Sequence, residues 1–142
     1  MKLLVRNTSS GLKPEYDSDY EHKKRLKNGS VYWVEIKEAR NYENHKRFFA
    51  MVNCVWHNLP EFHAKKFPNV DTFRYDLMIK AGYFQLIYQT ESKVVVKPES
   101  ISFSNMDETK FREVFSDVLD VILSQYVDVD KANFLNAMLE FM

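Results

Sequence analysis

The residue types here that could hold a metal or act as a nucleophile are four histidines and one cysteine. Cys54 and His57 are spaced to share one face of a helix, with His63 further on and His45 upstream, and zinc accepts thiolate and imidazole together. Structural zinc sites bring a second closely spaced pair, which this chain lacks, so a buried thiol with solvent-facing histidines is the competing reading. Asn41, His45 and Asn53 suggest a histidine-based metal nuclease. Such a site needs a hairpin beside its ligating helix, and no evident hairpin precedes Asn41. Cys54 sits in an apolar helical context that favours an inert thiol. The carboxylates show no pair in a plainly apolar setting. No catalytic residue, metal ligand or cofactor is assigned.

A different chemistry gathers between residues 40 and 47. Arg40, Lys46 and Arg47 stand with Asn41, Asn44 and His45 at the start of a helix. Helix N-terminal amides beside guanidinium and ammonium groups make a phosphate site. Tyr42 and Trp33 are placed to stack on unpaired bases, and Lys37 adds a cation. The bland alternative is a solvated helix start with an exposed tyrosine.

The element that would position this group is the helix after Asn41. Phe48, Phe49, Val52, Val55, Trp56 and Leu59 recur at steps of three and four, the period of a half-buried helix. Asn41 occupies the N-cap position, and Leu59-Pro60 closes the helix. The cations therefore stand at the mouth of a helix anchored in a core.

At 142 residues, 45% hydrophobic and 15% aromatic, the chain is read as one packed domain, 1–142. Three glycines are too few for a Gly-rich phosphate cradle, which counts against nucleotide-hydrolysing and dinucleotide-dependent readings. The N-terminus lacks the apolar run of a signal peptide and no segment reaches membrane-spanning length. A single cysteine suits a reducing compartment, so a cytoplasmic protein is expected. Net charge is zero but segregated: residues 107–142 carry eight acidic and three basic side chains, leaving the rest of the chain at +5. A neutral protein is a poor generic polyanion binder, yet its basic part can still offer a local patch.

Along the chain, Lys2–Arg6 reads as a strand, and Asn7–Gly11 with Pro14 as a loop. Asp17–Lys27 reads as a shallowly packed helix with its acids first. Ser30–Lys37 alternates like a strand with one face in the core. After the central helix, Asp71 is placed to cap a helix running to Lys80, with Gly82 as its stop. Tyr83–Tyr88 and Lys93–Val96 form a hairpin, and Ser100–Phe103 a further short strand. Asp107 opens a helix with Phe111, Phe115, Val118, Leu119, Ile122 and Tyr126 on one side. Asp130 caps the last helix, which carries Phe134, Leu135, Met138 and Phe141. The order suggests an α+β fold: a small mixed or antiparallel sheet packed by the central amphipathic helix and two C-terminal helices.

The stretch Lys27-Asn28-Gly29, Val34-Glu35-Ile36 and Ala39 through Asn53 resembles an uncharacterised phage and prophage family. Its members carry an arginine-asparagine pair, a histidine followed by basic residues, and an apolar helix. Ala81-Gly82-Tyr83, Lys97 through Phe103, Met106-Asp107-Glu108, Phe111 and Val118 through Ile122 fit the same family in the same order. The arginine-asparagine pair, the basic residues and the helix after a Val-x-Ile strand are also similar to the lambdoid NinB (Orf) recombination mediators. Those are small dimeric phage proteins that bind single-stranded DNA and help load recombinases, and they carry glutamine where His45 stands. The resemblance implies a non-catalytic protein binding single-stranded or branched DNA in recombination or replication, with a recombination or replication protein as partner. Arg40, Lys46, Arg47 and Lys37 would meet phosphates, the amides after Asn41 would assist, and Tyr42 or Trp33 would stack on bases. A homodimer through the apolar C-terminal helices would extend the groove. The rival expectation is a protein–protein adaptor that modulates an enzyme without touching DNA, which the neutral charge and acidic C-terminal helices favour.

Overall fold

The computed structural model describes residues 1–139 and divides them into two compact units, one spanning Met1–Ile36 and one beginning at Lys37. Among the described residues there are six helices and two separate two-stranded antiparallel sheets, an α+β fold. The expected Phe141 lies outside the described residues.

In the first unit, β1 (Val5–Thr8) and β2 (Gly11–Pro14) pair antiparallel, Val5 opposite Pro14 and Thr8 opposite Gly11. The segment expected as a loop is therefore a hairpin. Thr8 Oγ1 donates to the Gly11 carbonyl at 2.7 Å, and Gly11 takes a φ of +108° that a side chain would disfavour. Arg6 and Glu15 form a two-pronged ion pair. Helix α1 (Asp17–Lys23) follows, shorter than expected because Tyr20 and Leu26 find no deep core. Its buried Asp19 accepts from the amides of Leu4 (3.0 Å) and Tyr16 (3.2 Å), tying the helix start to the chain before the hairpin.

The expected strand over Ser30–Lys37 does not form. Val31 is 98% exposed, and Trp33, Val34 and Ile36 also face solvent. An alternating pattern supplies a strand's faces but not its hydrogen bonds, which need a neighbouring edge; here no strand pairs with it.

The second unit is built around α2 (Tyr42–His57), whose Phe48, Met51, Val52 and Val55 are buried. The short α3 (Glu61–Ala64) leads to α4 (Val70–Lys80), which buries Phe73, Leu77 and Met78. Asn69, not Asp71, caps α4: its side chain accepts from the Thr72 amide at 2.9 Å, while Asp71 reaches Arg74 at 3.5 Å. Gly82, at φ +94°, ends the helix as its amide donates to the Ile79 carbonyl. The hairpin β3 (Phe84–Gln89) and β4 (Val94–Pro98) forms as expected, with β4 against α4 and every residue of β3 exposed. Ser100–Phe103 is not a strand; Ser100, Ser102 and Asn105 bond one another in a turn. Helix α5 (Glu108–Gln125), capped by Asp107, brings Phe111, Val114, Val118 and Ile122 into the core. Asp130 accepts from the Asn133 amide at 2.8 Å at the start of α6 (Lys131–Leu139), which adds Phe134 and Met138. The core is thus largely helix on helix.

Candidate nucleic-acid interface

The segment Glu38–Asn41 reaches the start of α2 by strapping itself across the first turn of α5. The Glu38 carbonyl accepts from the Glu108 amide at 3.0 Å, and the Glu38 carboxylate takes Thr109 Oγ1 at 2.9 Å and the Arg112 guanidinium. Glu108 is 2% exposed; its Oε2 accepts from the Asn41 amide at 2.9 Å and its Oε1 from the Asn44 amide group at 3.5 Å. Asn41 is the expected N-cap, its side-chain oxygen accepting from the Asn44 amide at 3.1 Å. One buried carboxylate therefore fixes where α2 begins.

Arg40 points inward from this strap. One of its Nη groups donates to the carbonyls of Ile101 (2.7 Å) and Met106 (3.4 Å), and the other lies 2.9 Å from His45 Nδ1. The guanidinium stands over the rings of Phe111 (3.7 Å) and Phe103 (4.8 Å). Burial pulls its pKa below the ordinary value, opposed by the charge of Glu108. The residue that sequence reasoning placed first among phosphate contacts is thus occupied with joining α2 to the 101–106 turn.

His45 is packed against Phe49 at 4.8 Å and edge-on to Phe103 at 5.0 Å. Because arginine only donates, His45 Nδ1 accepts, which leaves the neutral ring's proton on Nε2. Burial first, then the positive charges of Arg40 and Arg74, push its pKa below 6.5, with Glu108 acting the other way.

The outward side of the same group is aromatic and cationic. Tyr42 is 60% exposed and meets Phe103, 48% exposed, in an edge arrangement with centroids 6.5 Å apart. Lys46 Nζ stands 4.7 Å over the Tyr42 ring and 3.3 Å from Glu43. Arg47 is turned toward α5 and α6, donating to Asn44 Oδ1 at 3.3 Å. Lys37 is exposed where the second unit begins, and Trp33 is fully exposed in the first unit. Phe103 escaped sequence reasoning because its segment read as a strand; its signal was the Ser-rich run around a lone phenylalanine, the composition of a turn.

Among the described residues, no three or more His, Cys, Asp or Glu side chains gather where they could hold a metal ion. Cys54 lies near the Asn58 amide group at 3.9 Å, His57 packs on Trp56, and His63 sits edge-on to Tyr126 at 4.9 Å. No helix among the described residues is long and apolar enough to cross a membrane.

A family model described as a protein of unknown function, DUF1367, matches residues 1–64 and 57–130. Neither a curated protein nor a solved structure matches the chain.

Proposed function

The chain belongs to the DUF1367 family, and from the geometry at the start of α2 we propose that it binds single-stranded or branched DNA without cutting it. The observation that carries this reading is the exposed Tyr42–Phe103 pair with Lys46 over the tyrosine ring. Two large rings open to solvent, one on the first turn of α2 and one on the 101–106 turn, offer a stacking platform for unpaired bases, and base–aromatic stacking contributes roughly 1–3 kcal/mol per base. Lys46, over the tyrosine ring, and Lys37 supply cations for the phosphates. Arg47, turned toward α5 and α6, is no part of this contact set. Arg40 and Asn41 act one layer below, holding the platform in place rather than touching DNA. The resemblance to phage proteins and to NinB extends this to a cytoplasmic role in phage recombination or replication, alongside a recombination or replication protein.

Fluorescence anisotropy with labelled single- and double-stranded oligonucleotides across a salt series tests it. Tighter binding to single strands, weakening with salt only by the shallow slope of about two phosphate contacts, is the expected result. Tyr42→Ala and Phe103→Ala should each weaken it by roughly five- to a hundredfold, the equivalent of one lost stacking contact. Binding to neither strand at low salt would return the adaptor reading to the front.

A further inference from the structure

A cavity of about 360 Å³ opens where α2, α5 and α6 meet, with Arg47 in its lining. That lies within the range of small-ligand sites, roughly 300–1,000 Å³. Its wall is formed by the buried side chains of Met51, Phe111, Leu119 and Met138, and its mouth by the exposed Arg47, Arg112 and Ser116. The two guanidiniums at the mouth are not equivalent. Arg112 is balanced by the Glu38 carboxylate, whereas Arg47 meets the neutral Asn44 amide and, among the described residues, no carboxylate at ion-pair distance. Each keeps further N–H donors beyond the ones in use. Among the described residues, the mouth thus carries one positive charge with no carboxylate beside it, above an apolar chamber.

We propose that this cavity binds a small amphiphile bearing one carboxylate, a short acyl acid in chemical class, with its chain among Met51, Leu119 and Met138 and its head on Arg47. The wall disfavours the obvious alternative of a flipped nucleobase, because Asn44, its partly buried polar side chain, already gives its amide nitrogen to Glu108 and its oxygen to Arg47. A base carries donors and acceptors around its rim, and the thioethers and aliphatic groups here would leave them without partners, at a cost of about 1–3 kcal/mol each. The long, unbranched methionines adapt to a flexible chain instead. The site is independent of the DNA reading, since neither Tyr42 nor Phe103 lines it.

The test is a nuclear magnetic resonance titration of the ¹⁵N-labelled full chain with sodium octanoate, and in parallel with octan-1-ol. Saturable octanoate shifts confined to amides of α2, α5 and α6 around the cavity are expected. Arg47→Gln, at an exposed position, should weaken octanoate about tenfold, the loss of one charge-assisted hydrogen bond. Ser116→Trp, which plugs the mouth, should abolish the shifts, and Tyr42→Ala should leave them intact. Octanol binding as tightly as octanoate, an unchanged affinity in Arg47→Gln, or shifts scattered over the exposed β3–β4 hairpin would each overturn the proposal.

Discussion

Arg40 and Lys46 stand six positions apart and carry the same charge, yet the fold uses them in opposite ways. Arg40 spends its donors on two turn carbonyls and on His45, under two phenyl rings. Lys46 lies over an exposed tyrosine beside a surface glutamate. Arg40→Ala should therefore cost about 3 kcal/mol of stability, from a lost charged hydrogen bond and cation–π contact. Lys46→Gln should stay within about 0.5 kcal/mol of wild type in the same urea titration. His45 adds a pH dependence. Its pKa in the folded chain is pushed below 6.5, so between that lowered value and 6.5 the unfolded chain holds a proton that the folded chain does not. Stability is complete above that window and falls as pH drops through it. Urea midpoints measured from about pH 8 to pH 5 should fall more for wild type than for His45→Gln, and parallel curves would contradict it. The sequence could locate these cations at a helix mouth. Which of them turns inward depends on Ile101, Met106 and Phe111, more than fifty residues away in the chain.

Elements whose signals are local were legible in the chain. The start of α2 at Asn41, the α5 start at Asp107, the α4 stop at Gly82 and the β3–β4 hairpin each follow from a cap, a glycine or a short polar turn. The Ser30–Lys37 and Ser100–Phe103 strands did not form, because strand faces can be read locally and strand partners cannot. The Glu38–Asn41 strap was hidden for the same reason: its anchor, Glu108, reads on its own as one more acid in the first turn of an acidic helix. Asn41→Ala removes the cap while leaving the backbone bond to Glu108. It should lower stability by about 1 kcal/mol in thermal unfolding. A loss several times larger would mean that the side chain holds more than the first turn.

At the scale of the molecule, the zero net charge conceals a division of labour. The acidic helix α5 supplies part of the core and, through Glu108, the anchor for α2. The basic part supplies the platform. On the proposed reading, a protein organised this way gains little from long-range attraction to DNA, and its preference comes from contact with bases, which single strands leave accessible. The most direct check of that claim is photo-crosslinking of the full chain to a single-stranded oligonucleotide carrying 5-iododeoxyuridine, with the attached peptides identified by mass spectrometry. Crosslinks on Tyr42 and Phe103 are expected, reduced by unlabelled single strands and unaffected by equal amounts of duplex. Crosslinks absent from both residues, or equally well removed by duplex, would contradict it.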